Sequence, residues 1–484
     1  MHSDVKPFKM IGNIYYVGSL KYCSHIIDTG DGLIMIDNGY EENADMILDS
    51  MNILGLNIKN LKIIIHSHGH GDHSCATPKL VALSGAKVYM HKADLMYLKE
   101  GQTVDCYIKD GDTIKLGNTE ILCLETPGHT LGTLSFFFNI EEDGKTYRAA
   151  MFGGAGTNQL KKPYLLNRHK VTLSYFQRGM FFKSIEKLKK EHVDVMMGNH
   201  PWNNDTFGKE KLIGKTELNP YIDSELWGKF LDGVKKNLED IIEEESKTMF
   251  VNFAHRGASE YTPENTLLAF NLGMYMGANG IETDVQLTKD NVAVLFHDDT
   301  LNRVTGQEGS ISDYTFDELQ EFFVTKNEYR DKILKFDDFL KHFYFRDITF
   351  AIELKQRGTA KVAIDILRKY NIRPKVVLTS FIFDELVDAG EYAPEFKRGY
   401  LTNNITDELL EKMKKLGIDE ICPEAHLCTP ELVKKWHYEG FNVRAWGVYN
   451  EDLMKHAYEC GCDGMTVNFP DKLTEYLKIN QSVI

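Results

Sequence analysis

The pattern of apolar and polar positions changes character near residue 245. Before that point, short apolar runs alternate with glycine-rich turns. Leu61 to Ile65 (LKIII) reads as a buried strand, and similar runs end at Glu125 and Met197. Beyond it, strand-like and helix-like segments alternate every ~20–40 residues, the rhythm of βα units. Residues 223–244 carry apolar side chains at Leu226, Phe230, Val234, Leu238 and Ile241 or Ile242, which is helical spacing. A new strand follows at once, so the junction is expected at about 245–249, with domains at 1–248 and 249–484. The fold class is α/β throughout. No Pro-rich or Gly/Ser-rich linker separates the halves.

The length of 484 residues fits two or three domains at ~150 residues each. A net charge of −15 with no basic run makes nucleic acid a poor partner. No apolar stretch approaches the ~20 residues of a membrane span, and residues 1–10 lack a signal-peptide core. The eight cysteines form no CxxC pair, which suits reduced thiols in a cytosolic protein. Composition does not address the oligomeric state.

Seventeen histidines are spread over the chain, yet four fall in residues 66–73, HSHGHGDH. The glycines let the backbone turn sharply while His68, His70, Asp72 and His73 converge. His129 and His200 each follow a strand end on a tight turn, where sites gather. Imidazole and carboxylate suit Zn²⁺. His66 lies outside the HxHxDH spacing and reads as structural, as do the solitary His25, His91, His169 and His192.

These pieces, with Asp37-Asn38-Gly39, TPGHT and GNHP, resemble the metallo-β-lactamase superfamily over residues ~10–245. The resemblance implies an αββα sandwich holding one or two Zn²⁺. His68, His70 and His129 would hold one ion. Asp72, His73 and His200 would hold the other, with Asp72 also counted among the catalytic residues. Many superfamily hydrolases place a bridging Asp where this chain reads Phe152-Gly153-Gly154-Ala155-Gly156, without a carboxylate.

The second half repeats the strand-end pattern. His255-Arg256-Gly257 closes one strand, and Glu353-Leu354-Lys355 another. Between them, strands 281–287 and 292–297 are joined by Thr288 to Asn291, too short for a parallel crossover, so they form an antiparallel hairpin. Pairing Leu287 with Val292 places Glu282 opposite His297, and Asp284 shares the face of Glu282. A carboxylate-rich site suits Mg²⁺ or Ca²⁺. Arg256 and Lys355 suit phosphate oxygens, and two histidines suit acid–base work. Asp298 and Arg303 read as structural. Trp446 either lines the pocket or fills core.

Residues ~249–484 resemble the glycerophosphodiester phosphodiesterase family, on HRGASEYTPENTLLAF, ETDVQLTKDNVAVLFHDDTLNRVTG and IELK. The resemblance implies a (β/α)₈ TIM-like barrel with the site at its C-terminal face. It makes His255 and His297 the catalytic pair and Glu282, Asp284 and Glu353 the ligands of the divalent ion. Arg256, Lys355 and Trp446 would bind substrate, and residues ~300–345 would form a cap beside the pocket. Where the family often carries a carboxylate, this chain has Asn468.

The expectation is a cytoplasmic hydrolase. Its barrel would cleave a small-molecule or lipid-derived glycerophosphodiester to glycerol phosphate and an alcohol, and its N-terminal half would hold a second, zinc-dependent hydrolase site. The alternatives are a single phosphodiesterase whose first half shapes substrate, and a non-catalytic glycerophosphodiester sensor.

Overall fold

The computed structural model describes residues 5–167, 175–372 and 375–481. His169 lies outside the described residues. The chain forms two compact units, Met1–Lys161 with Gln177–Glu239, and Lys162–Phe176 with Asp240–Ile484.

The first unit is built on two sheets. One has seven strands in sequence order from Phe8–Ile11 to Cys106–Ile108. The other has five, in the order Val195–Met197, Lys145–Phe152, Leu134–Glu142, Thr119–Glu125, Thr113–Leu116. Alternation decides which side chains face where. Ile34, Ile36, Ile63 and Ile65 of the first sheet pack on Phe136, Phe138 and Met151 of the second. The opposite face, with Ile26, Met35 and Ile64, buries against Ala44, Ile47 and Met51 of helix Asn43–Ile53 and Leu80 of helix Thr77–Ser84. On the outer side of the second sheet, Phe181 and Trp227 lie against Phe152 and Phe137. This is the αββα layering.

In the second unit, eight parallel strands close on themselves: Val251–His255, Gly280–Leu287, Thr349–Leu354, Val376–Ser380, Lys397–Thr402, Glu420–Pro423, Asn442–Val448 and Gly464–Val467. Pairing of the first strand with both the second and the eighth completes the (β/α)₈ barrel. Residues 301–333 pack through their own cluster, Leu301, Val304, Ile311 and Leu319, onto Val294 and Phe296, whereas Phe336, Phe339, Leu340 and Phe343 join the barrel core with Ile281 and Ile352.

Lys162 and Phe176 belong to this unit and lie at the N-terminal end of its strands. The buried Lys162 ammonium lies 2.6 Å from Asp463 Oδ1, and its backbone N–H donates to Glu245. The other Asp463 oxygen accepts from His437 Nε2 at 2.7 Å and from the Val443 N–H at 2.8 Å. Phe176 packs edge-on against Phe441.

Candidate active sites

In the first unit, strand Leu61–Ile65 delivers the chain into the turn that carries the histidines. Nitrogens of His68, His70 and His129 and, separately, ligand atoms of Asp72, His73 and His200 lie within 4.8 Å of one another in each set. The His68 ring sits 4.1 Å from that of His73, so the two sets adjoin. His68 Nε2 and His73 Nε2 are buried without hydrogen-bond partners, so both lone pairs are available to a cation. Burial, then the neighbouring histidines, pushes His68 well below the ordinary imidazole value. Burial also holds His129 at about 4. Both rings are therefore neutral, the form in which an imidazole binds a metal. The donor set fits a transition ion.

Asp37 was not expected to be part of this machinery. Its buried carboxylate accepts from Ser67 N–H, Ser67 Oγ and His73 Nδ1. Burial disfavours charge on His73, but the Asp37 charge and hydrogen bond outweigh it and raise the ring. The bond leaves His73 Nε2 as the free ligand atom. His66 reaches Thr77, in keeping with a structural role. In the stretch without a carboxylate, Gly153 has no room for a side chain, since a Cβ there would lie 2.0 Å from the Leu134 carbonyl oxygen. The Gly156 carbonyl instead accepts from His129 Nδ1 at 2.7 Å.

In the barrel, His255, Arg256, Glu282, His297, Glu353 and Trp446 line one cavity of about 300 Å³ at the C-terminal ends of the strands. Among the described residues none of 300–345 lines it; the insertion meets the site beside the cavity, through Arg303 on Asp298 and Glu264. The hairpin is antiparallel, but its register is one residue from the expected one: Leu287 faces Ala293 and Val285 faces Leu295. Asn291 takes a left-handed φ of 60° and makes the turn five residues long. The ladder ends at Leu295, so Glu282 is not the ladder partner of His297. Both still reach the cavity, because His297 leaves the strand toward it.

Carboxylate oxygens of Glu282, Asp284 and Glu353 lie within 4.8 Å of one another, and Asp284 Oδ1 is buried without a hydrogen-bond partner. Burial, then the Asp284 charge, raises both Glu282 and Glu353. Burial would raise Asp284 too, but Arg256 and Lys355 hold it low. Three carboxylates that crowd one another in this way fit a hard divalent cation.

The two barrel histidines have different supports. His255 Nδ1 lies 2.7 Å from Asn468 Oδ1, and burial followed by the Arg256 charge lowers the ring to about 3. His297 Nδ1 lies 2.7 Å from Asp298. Asp298 is thus more than structural, since it fixes the His297 ring. An ion-pair chain continues from it: Arg303 joins Asp298 to Glu264, Glu264 holds Arg256, and Arg256 Nε lies 3.2 Å from Asp284. Lys355 pairs with Glu353 at 2.8 Å. Gly257, at φ 85°, lets helix Leu267–Tyr275 approach, since a Cβ there would lie 2.4 Å from the Ala269 carbonyl carbon.

The family model described as Glycerophosphoryl diester phosphodiesterase family matches residues 255–472, and that of the Metallo-beta-lactamase superfamily matches 23–142. The chain is 30% identical to a glycerophosphodiester phosphodiesterase of Caldanaerobacter subterraneus over 242 residues, 48% of this chain and 98% of that protein. The chain belongs to the glycerophosphoryl diester phosphodiesterase family, joined to a metallo-beta-lactamase superfamily domain. A second relative of the barrel, the uncharacterized protein YqiK of Bacillus subtilis, is 34% identical over 47% of this chain and 98% of its own. Among solved structures, the native FEZ-1 metallo-beta-lactamase from Legionella gormanii is 27% identical, with a TM-score of 0.47, over 50% of this chain and 98% of that one. The chain is a hydrolase. No described helix is long and apolar enough to cross a membrane.

Proposed function

We propose that the barrel cleaves a glycerophosphodiester, small or lipid-derived, to glycerol phosphate and an alcohol. The observation that carries this is the convergence of His255, His297, Glu282 and Glu353 on one cavity, with Asp284 beside the two glutamates. Glu282, Asp284 and Glu353 would hold Mg²⁺ or Ca²⁺. When bound, that ion supplies charge to offset the phosphoryl oxygens. Arg256 and Lys355 bind the same oxygens from the protein side. His255 is neutral above about pH 3. With its Nδ1–H engaged by Asn468, its Nε2 takes a proton from the attacking hydroxyl. His297, oriented by Asp298, gives a proton to the departing alkoxide.

The N-terminal unit is a second hydrolase site in this reading. His68, His70 and His129 would hold one Zn²⁺, and Asp72, His73 and His200 a second. Eight free thiols suit a reducing, cytoplasmic location. The test of the barrel assignment is turnover of glycerophosphocholine by the full chain with and without EDTA, and by His297→Ala. Loss of ~10²–10⁴-fold in the variant is expected. Wild-type turnover by that variant would sink the assignment.

A further inference from the structure

Helix Asn302–Thr305 belongs to the insertion. Its neighbours Leu301 and Val304 are buried onto Val294 and Phe296, while Arg303 between them is half-exposed. The Arg303 guanidinium meets two carboxylates at once. Its Nε and Nη2 donate to the two oxygens of Asp298 at 2.6 and 3.0 Å. Its Nη1 and Nη2 donate to the two oxygens of Glu264 at 2.9 and 2.7 Å. Each carboxylate serves a different catalytic group. Asp298 accepts from His297 Nδ1 at 2.7 Å, and Glu264 accepts from Arg256 Nη1 at 3.0 Å. Ligand atoms of Glu264, His297 and Asp298 lie within 4.8 Å of one another. Two carboxylates that close repel unless a cation bonds both, and Arg303 is that cation. The backbone has a separate support, because the buried Gln286 amide donates to the carbonyls of Phe296, His297 and Asp298. Arg303 therefore acts on side chains and not on the course of the chain.

We propose that Arg303 is a positioning residue through which the insertion holds the proton donor and the phosphate-binding arginine in one arrangement. This rests on the phosphodiesterase reading above. Through Asp298, Arg303 fixes the His297 ring and leaves Nε2 to carry the proton. Through Glu264 it fixes Arg256. The task needs a planar fork, since a lysine ammonium is a point charge that cannot bond two carboxylates in this bidentate way. When the P–O bond to an alkyl alcohol breaks, the departing oxygen takes the Nε2 proton of His297. A p-nitrophenolate departs as the anion and needs no such proton. The part of the effect that runs through Asp298 is thus visible with the first leaving group and silent with the second.

The experiment uses the full chain with Mg²⁺ and two diesters of glycerol phosphate, one with choline and one with p-nitrophenol as the leaving group. Wild type should cleave both. Arg303→Ala should lose ~10–100-fold in kcat/KM on the choline diester, a share of the ~10²–10⁴ that a general acid supplies, and at least ~5-fold less on the aryl diester. Ethylguanidinium, the group that this substitution removes, should restore turnover of the choline diester, and ethylammonium should not. Arg303→Lys should show the same split between the diesters, and it decides the matter if the alanine variant does not fold. A purely structural arginine would lower both diesters alike and would gain nothing from a small cation. Wild-type turnover of the choline diester by either variant, an equal loss on both diesters, or equal recovery with both cations would each overturn the assignment. Cleavage of neither diester by wild type would instead refute the phosphodiesterase reading on which it rests.

Discussion

Replacing Lys162 by methionine removes the cation from a carboxylate buried at the N-terminal end of the barrel. Removing one partner of a buried ion pair typically costs ~3–5 kcal/mol, because the other charge stays buried. Asp463 keeps His437 and the Val443 N–H in this variant, so the lower end, about 3 kcal/mol, applies. For a domain of this size ~1 kcal/mol moves Tm by roughly 2–4 °C, giving about 6–12 °C. The temperature at which phosphodiester cleavage is lost reads the barrel specifically. Asp463→Asn in the same background should recover most of the loss, because no unpaired charge remains. The pH dependence has a definite sign. Lys162 and His437 outweigh burial and hold Asp463 below its ordinary value. Its contribution is complete above the unfolded value near ~3.9 and fades as pH falls toward the folded one. Wild type and Lys162→Met should therefore converge in acid. A melting point within about 2 °C of wild type at pH 7 would show that the Lys162 contact adds nothing to the barrel.

Two further outcomes follow from the supports of the histidines. Asn468→Asp places a carboxylate on His255 Nδ1, raises the ring from about 3, and should move the acid limb of the kcat/KM profile upward; an unmoved limb would contradict the role of His255 as base. Asp37→Asn weakens the hold on His73 Nδ1. Metal analysis after mild chelation should then show ~10–100-fold weaker retention at the Asp72/His73/His200 set, and unchanged retention would count against that set.

Most of the residues that converge were legible because they stand within a few positions of one another at a strand end, while His129, His200 and Glu353 each stand alone after a strand. The HxHxDH spacing and the Glu282/Asp284 alternation are local facts. The supporting residues were not, because their roles depend on what stands across the fold. Asn468 read as a lost carboxylate, yet it holds His255 from 213 residues away. Asp298 read as structural because nothing local ties it to the His297 ring. The hairpin was assigned correctly in direction and missed by one position in register, since a left-handed Asn291 adds a residue to the turn.

The placement of Lys162–Phe176 also bears on synthesis. Asp463 is 301 residues downstream of Lys162. At ~5–20 residues per second, a ribosome takes roughly 15–60 s to make that stretch. Throughout that interval Lys162 has been made and its carboxylate partner has not. The two ends of the barrel's own chain thus leave the ribosome on either side of nearly all of the remaining sequence. Closure of the anchor is a late event that no shorter nascent chain can complete. A stalled or prematurely terminated product would present Lys162 without its acceptor.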